Sequence, residues 1–224
     1  MAEKYLYGAS VQGIQDFIFQ TNKLREIVGA SELVEEICSL VFVKTLLEKP
    51  DISYEDAQNY LINDSNAIVH AAGNIKYIFE DKAQCEKVVR HFPKTVATFA
   101  PGITISQAVV RMDGTYQQFD VAVDELERRL RAQRNNPMTP LTLGCIGLRH
   151  SRQTNMPVID KPNSGDFLDE ATLAKLQYTV EQSGKTTKIL NRHTMRKLCE
   201  KAFAINNILD KQVAYNVEEI TGKN

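Results

Sequence analysis

The N-terminal stretch from Tyr5 to Ser31 limits the possible folds more than any other part of the chain. It begins with the apolar, aromatic run Tyr5–Ala9, which predicts a short buried strand. A tight turn is expected at Ser10–Gly13, and from Ile14 onward apolar residues recur at the i, i+3, i+4 spacing of one helical face. A strand that turns directly into a helix leaves amide N–H groups free at the helix start, so this point suits a phosphate.

A second stretch, residues 67–79, predicts a hairpin. Two β-prone runs flank Gly73-Asn74, and such a pair is typical of the turn between antiparallel strands. Beyond it, Asp81–Phe99 has a helical pattern that Pro93 is expected to break or kink, and Ile103–Met112 alternates as a strand does. Strand, helix, hairpin, helix and strand form the βαββαβ order of a ferredoxin-like palm, an α+β fold.

Two positions in such a palm carry the chemistry of the enzymes that use it. Palm-type nucleotidyl cyclases and polymerases place metal-binding carboxylates at the end of the first strand and in the hairpin turn. Here those positions hold Ser10 and Asn74-Ile75. Mg²⁺ takes hard oxygen ligands and neutralises developing phosphate charge, so two-metal catalysis is not expected from this chain alone, and neither a catalytic residue nor a metal site is predicted in it.

The motifs GASVQGIQDFIF (8–19), LREIVGAS (24–31) and AAGNIKYIF (71–79) carry a family resemblance. Over about residues 4–112 the chain resembles the first palm domain of the large polymerase/cyclase subunit of type III CRISPR effector complexes, or a stand-alone relative of it. In that family the active palm has a Gly-Gly-Asp-Asp hairpin and makes cyclic oligoadenylates from ATP. The first palm usually lacks those aspartates and has a glycine-rich hairpin, which AAGN resembles.

The resemblance implies a degenerate palm that binds a nucleotide or pairs with a catalytic palm in cyclic-nucleotide signalling and antiviral defence. The residues expected to contact the nucleotide are Ser10, Val11, Gln12, Gly13, Gly73 and Asn74. Asp16, one turn into the first helix, is a candidate phosphate or cap contact, and so is Ser31, the expected N-cap of a helix beginning at Glu32. A turn that has lost its ligand, and a Gly73 that only serves the hairpin, are open alternatives.

The ligand that the resemblance implies is ATP or another adenine nucleotide with Mg²⁺. The implied partners are another palm domain, in the same chain, a separate chain or a second copy, together with CRISPR effector subunits and RNA. Two other functions stay open. One is an active homodimeric cyclase or cyclic oligonucleotide synthase, in which Asp16 or a residue of the second subunit holds the metal. The other is a scaffold that binds RNA or protein without a nucleotide.

Composition gives weaker limits. The formal net charge is −1, so the overall charge does not favour nucleic acid or a membrane surface. No signal peptide or membrane-spanning run is expected, and the four scattered cysteines, Cys38, Cys85, Cys145 and Cys199, fit reduced thiols in a cytoplasmic protein. A basic cluster is a candidate contact for an RNA backbone or a nucleotide, although a solvated helix face explains most of it; its members are Arg128, Arg129, Arg131 and Arg134, with Arg149 and Arg152 further on.

The sequence divides into three parts. A palm-like domain is expected over residues 1–113, a helix followed by a Pro-rich linker over 114–166, and a helical portion over 167–224. Ser183-Gly184-Lys185-Thr186 is not a phosphate loop, because Thr179 stands where that motif requires a glycine.

Overall fold

The structure, a computed structural model, describes residues 3–135, 147–160 and 167–181. They form two compact units. The first contains residues 3–17 and 33–135, and the second contains 18–32, 147–160 and 167–181. Cys145, Cys199 and the rejected phosphate-loop segment at 183–186 lie outside the described residues. The three-part division of the sequence stays a prediction.

The first unit is built on a four-stranded antiparallel sheet. Its strands are β1 (Tyr5–Gln12), β2 (Ala67–Ala71), β3 (Asn74–Phe79) and β4 (Thr104–Arg111). The α-helices that accompany them along the chain are α1 (Ile14–Ile18), α2 (Leu24–Glu36), α3 (Phe42–Leu47), α4 (Tyr54–Asn63), α5 (Lys82–Phe99) and α6 (Phe119–Arg134). The sheet order is β2-β3-β1-β4, so the predicted α+β, βαββαβ arrangement with extra helices is confirmed.

Strand β1 is longer than expected. It continues to Gln12, so the turn predicted at Ser10–Gly13 is wrong, and only Gly13, with a φ of 64°, lies between β1 and α1. The reason is that β1 is a central strand: Ser10 pairs with Asn74 of β3 on one side and with Ser106 of β4 on the other.

The helix start predicted at Ser31 is also wrong. Helix α2 runs without interruption from Leu24 to Glu36, and the Ser31 hydroxyl donates to the carbonyl oxygen of Ile27 at 2.9 Å, as a serine inside a helix does. Gly29 is buried within this helix, so tertiary packing has overridden its low helix propensity. A π-helical turn, Ile37–Val41, then joins α2 to α3.

The hairpin between β2 and β3 is present, with its turn one residue earlier than Gly73-Asn74. Ala71 pairs with Asn74, and the turn residues are Ala72 and Gly73, with φ values of 53° and 77°. Positive φ at both central residues is the type I′ geometry that matches the twist of a two-stranded ribbon. A Cβ on Gly73 would stand 2.5 Å from Cδ1 of Ile14, so packing as well as backbone conformation requires glycine here.

One face of the sheet carries the aromatic core. The rings of Tyr7, Phe42, Tyr77, Phe79 and Phe92 contact one another, with centroid separations from 4.7 to 6.2 Å. Their sources are β1, β3, α3 and α5, so this cluster joins the sheet to the helices of both crossover connections.

Helix α6 covers the opposite face. Leu6 and Val110 of the sheet form a buried cluster with Ala122, Leu126 and Leu130 of α6. Although α6 lies beyond the boundary expected at residue 113, it packs directly on the sheet. This packing also needs Gly8, because a Cβ there would lie 2.7 Å from Cδ2 of Leu126.

Strand β4 lies at an edge of the sheet, and α6 side chains occupy part of that edge. The backbone N–H of Gln107 donates to Oε1 of Gln133, and the Arg129 guanidinium donates to the carbonyl oxygen of Val109. Covering the outward-facing groups of an edge strand is one way in which proteins prevent unwanted strand pairing.

Helix α5 passes through Pro93, so of the expected break or kink at this residue the break is wrong. Proline has no N–H to bond the carbonyl four residues earlier, which here is that of Val89. Nε2 of Gln107 donates to this carbonyl oxygen at 2.7 Å, so a side chain from β4 replaces the missing helical donor.

The second unit contains β5 (Val158–Asp160), β6 (Leu168–Asp169) and α7 (Glu170–Glu181). The two strands pair antiparallel, and the helix expected from Leu168 begins at Glu170. Asp169 accepts hydrogen bonds from Thr172 N at 3.1 Å and from Thr154 Oγ1 at 2.7 Å, so a buried carboxylate ties the start of α7 to the preceding loop.

Candidate nucleotide-binding site

The end of β1 and the start of β3 lie side by side. Ser10 and Asn74 are directly opposite each other in the register, and Oγ of Ser10 donates to Oδ1 of Asn74 at 3.0 Å. These are the two positions at which palm enzymes hold metal-binding carboxylates. The structure therefore places a hydroxyl and an amide, both neutral, against each other at this point.

Further hydrogen bonds orient the pair. Nδ2 of Asn74 donates to the carbonyl oxygen of Ala72 at 3.1 Å, within the hairpin turn, and Nε2 of Gln12 donates to the carbonyl oxygen of Ser10 at 3.0 Å. Ser10 is only 7% exposed, whereas Asn74 and Gly13 are exposed and Gln12 is half-buried. A ligand at this end of the sheet would therefore meet Asn74, Gln12 and Gly13 before Ser10.

The backbone near Ser10 does not form the phosphate cradle expected from the sequence. The N–H of Val11 donates to the carbonyl oxygen of Gly73 at 2.7 Å, and Ser10 and Gln12 lie in the ladder with β4. Helix α1 has only five residues, and the first helical amide to bond within it, that of Phe17, donates to Gly13. Contacts to a nucleotide would therefore have to come mainly from side chains.

The other expected site residues have separate positions. Side chains alternate between the two faces of a strand, so Val11 lies on the aromatic-core face while Ser10 lies on the α6 face. Gly73 is buried behind Ile14, and Asp16 is an exposed residue of α1. Ser31 belongs to the second unit, in the middle of α2. The role of each of these residues toward a nucleotide stays a prediction.

Sequence reasoning placed Arg134, the last residue of α6, in a mainly solvated basic cluster and did not assign it to this site. Its Nη2 lies 3.4 Å from Oγ of Ser10, so it reaches the same end of the sheet as Asn74. A signal was present, because Leu126, Leu130 and Arg134 follow one another at intervals of four residues and share the helical face that packs on the sheet. Without knowledge that α6 covers the sheet, that stripe could not be assigned to this site.

The other arginines of α6 have different surroundings. Arg128 and Arg129 each place Nε 2.7 Å from a carboxylate oxygen of Glu125. Hydrogen bonds from Arg128 and then Arg129 lower the pKa of Glu125 to about 2. The predicted solvated face is therefore in part an ion-pair cluster.

The donor set at the paired positions does not match a palm metal site. Mg²⁺ in such sites takes carboxylate oxygens, and Ser10 and Asn74 offer one hydroxyl and one amide. Within the described residues, no group of three or more His, Cys, Asp or Glu side chains is placed to hold a metal ion. The same part of the chain contains no helix with the length and apolar character needed to cross a membrane.

Comparison with known proteins gives no family model and no curated relative that matches the chain. Solved structures with some likeness are an apo Csm1–Csm4 cassette (TM-score 0.42, 15% identity) and the same kind of cassette in complex with cA3 (TM-score 0.43, 16% identity). A third is the Csm1–Csm4 subcomplex of the type III-A CRISPR–Csm interference complex (TM-score 0.43, 16% identity). Each covers 60% of this chain, and this chain spans 19% of the length of the chain it matches.

Proposed function

We propose that this chain is a degenerate palm of the type III CRISPR polymerase/cyclase kind, which binds an adenine nucleotide and pairs with a catalytic palm without itself transferring nucleotides. The observation that carries the proposal is the 3.0 Å hydrogen bond between Ser10 and Asn74, which fills with neutral groups the two positions where an active palm holds metal.

This pair favours recognition over catalysis. The single hydroxyl proton of Ser10 is donated to Asn74, so Ser10 is neither a free nucleophile nor an anionic metal ligand. Phosphoryl transfer depends on metal ions and charged groups that stabilise the developing charge, and a hydroxyl–amide pair supplies neither.

The same pair keeps hydrogen-bonding capacity for a ligand. A side-chain amide has two N–H donors and an oxygen with two lone pairs, and Asn74 uses one of each toward Ala72 and Ser10. Because Asn74 is exposed and its amide plane is fixed by both bonds, it can present the remaining donor and acceptor to a nucleotide in a defined orientation.

Calorimetry with ATP and MgCl₂ tests the nucleotide part of the proposal. Wild-type protein should bind, and Asn74→Ala should weaken binding by about tenfold, the effect of losing a fixed pair of hydrogen bonds. Asn63→Ala is the matched control, since Asn63 is an exposed asparagine in α4 whose side-chain N–H donates to the Asn59 carbonyl oxygen of the same helix. No heat at millimolar ATP would overturn nucleotide binding and favour the scaffold alternative.

Incubation with labelled ATP and Mg²⁺ or Mn²⁺ tests the absence of catalysis. We expect no cyclic or linear oligoadenylate from this chain alone. A product that Asp16→Ala abolishes would instead establish the homodimeric synthase. When this chain is added to a palm carrying Gly-Gly-Asp-Asp, product formation should rise above that of the palm alone. An unchanged rate would contradict the pairing.

A further inference from the structure

Arg134 lies beside the neutral pair, and no carboxylate in the described part of the chain forms an ion pair with it. Since the Ser10 proton is donated to Asn74, Oγ of Ser10 accepts from Nη2 of Arg134, at 3.4 Å. A hydroxyl holds the guanidinium in place but does not neutralise it. Arg134 is also an exposed residue, so a ligand in solvent can reach it.

Three neighbouring cations differ from Arg134 in this respect, whereas Arg131, one turn earlier, also has no ion pair among the described residues. Arg128 and Arg129 share the Glu125 carboxylate, and Lys76 of β3 pairs with Glu127 at 2.7 Å. Across residues 3–135, 147–160 and 167–181, no carboxylate forms an ion pair with Arg134. Among the described residues, the Arg134 guanidinium therefore brings an unpaired positive charge to within 3.4 Å of Ser10.

We infer that Arg134 binds the phosphates of the nucleotide directly, in the place where an active palm uses a divalent cation, so that nucleotide binding to this chain does not require Mg²⁺. The inference rests on the function proposed above and adds its ligand chemistry. A guanidinium suits the task because it stays protonated and presents parallel N–H donors that match two phosphate oxygens. Carboxylates would have needed a metal ion between themselves and a phosphate, but the two paired positions hold Ser10 and Asn74.

The test is calorimetry with ATP in EDTA and in MgCl₂. Wild-type protein should bind in both, with affinities within about threefold, whereas Arg134→Gln should lose about tenfold or more in both, as expected for a charge-assisted hydrogen bond. Arg134→Lys should fall between them, since it keeps the charge and loses the paired donors. Adenosine, which has no phosphate, should bind wild type and Arg134→Gln equally.

Arg131→Gln is the matched control. Arg131 is exposed on the same helix, one turn before Arg134, and has no ion pair among the described residues. An equal loss in Arg131→Gln and Arg134→Gln would show a general attraction to the helix and overturn the inference. The thermal transitions of both variants should match that of wild type, which confirms that the folded protein is being compared.

The outcomes separate the inference from the function beneath it. Binding of ATP in MgCl₂ and none in EDTA would overturn the role of Arg134 and leave the proposed nucleotide-binding function standing. Absence of binding in both conditions would overturn the proposed function itself. If the wild-type protein binds ATP in EDTA and Arg134→Gln binds it with the same affinity, the phosphates lie elsewhere. That result would overturn the role assigned to Arg134.

Discussion

Nε2 of Gln107 donates to the carbonyl oxygen of Val89 at 2.7 Å, and this carbonyl is the one that Pro93 leaves without a helical donor. Oε1 of the same Gln107 accepts from the hydroxyl of the fully buried Tyr7 at 3.0 Å. One side chain of β4 thus supports both an uninterrupted α5 and a hydroxyl in the core.

Removal of the Gln107 side chain should therefore destabilise the protein. The loss should be smaller when residue 93 has an N–H that can donate to the carbonyl oxygen of Val89. Gln107→Ala is expected to lower the free energy of unfolding by about 1–3 kcal/mol, because partners are left unsatisfied. In a Pro93→Ala background the cost should be smaller, since the new alanine would supply the missing N–H to Val89. The loss at Tyr7 is the same in both backgrounds, so a double-mutant cycle by urea unfolding isolates the Val89 bond. Equal costs in both backgrounds would contradict this account.

Gly8→Ala should loosen the packing of α6 on the sheet. The new Cβ would stand 2.7 Å from Cδ2 of the buried Leu126, and overpacking of this kind costs about 1–3 kcal/mol. Gly147→Ala is the control, because nothing lies within 4 Å of a Cβ there, and its effect should stay within about 0.5 kcal/mol. Chemical denaturation measures both. Gly8→Ala should cost less when combined with Leu126→Ala, and a purely additive result would locate the damage elsewhere.

Gly73 and Gly13 separate the cost of conformation from the cost of packing. Both have positive φ, so alanine at either should cost about 1–2 kcal/mol. A Cβ at Gly73 also meets Ile14 at 2.5 Å, whereas a Cβ at Gly13 has nothing within 4 Å. Gly73→Ala should therefore give the larger drop in the urea midpoint. The reverse order would show that the hairpin relaxes more easily than its packing suggests.

Acid should weaken the Glu125 cluster. The fold holds the pKa of Glu125 at about 2, below its usual value of 4.5, chiefly through Arg128 and Arg129. A lowered pKa gives a stabilisation that is complete above the unfolded-state pKa and is lost as pH falls toward the folded-state value. Between about pH 5 and pH 2.5, the thermal midpoint of wild type should fall more than that of Glu125→Gln. Parallel profiles would show that other carboxylates dominate the acid response.

The hairpin and β4 were predictable because their signals are local. Residues 67–79 carry turn chemistry between β-prone runs, and such signals need no knowledge of the partner. The length of β1 was not predictable in this way, because Ser10 pairs with both β3 and β4, and Val11 and Gln12 continue the pairing with β4. The helix start predicted at Ser31 was wrong for a similar reason, because burial of Gly29 keeps α2 continuous through this point.

In the candidate site too, local sequence patterns predict some residues and long-range packing determines others. A palm order in the sequence identifies Ser10 and Asn74 as the positions to compare, and the structure adds the hydrogen bond that fixes them. The position of Arg134 at this site depends on the packing of α6 against the sheet. Arg134 and Ser10, which meet there, are 124 residues apart in the sequence. Local patterns do not contain such a contact.

The side chains along β4 also bear on how this chain meets others of its kind. The outward N–H of Gln107 already bonds Gln133, and the outward carbonyl of Val109 already bonds Arg129. A strand from another chain could pair with this edge only after displacing both side chains. These bonds therefore disfavour aggregation through strand pairing at β4, whereas an uncovered edge strand would promote it. The helix that carries Arg134 thus also protects this edge of the sheet from the addition of another strand.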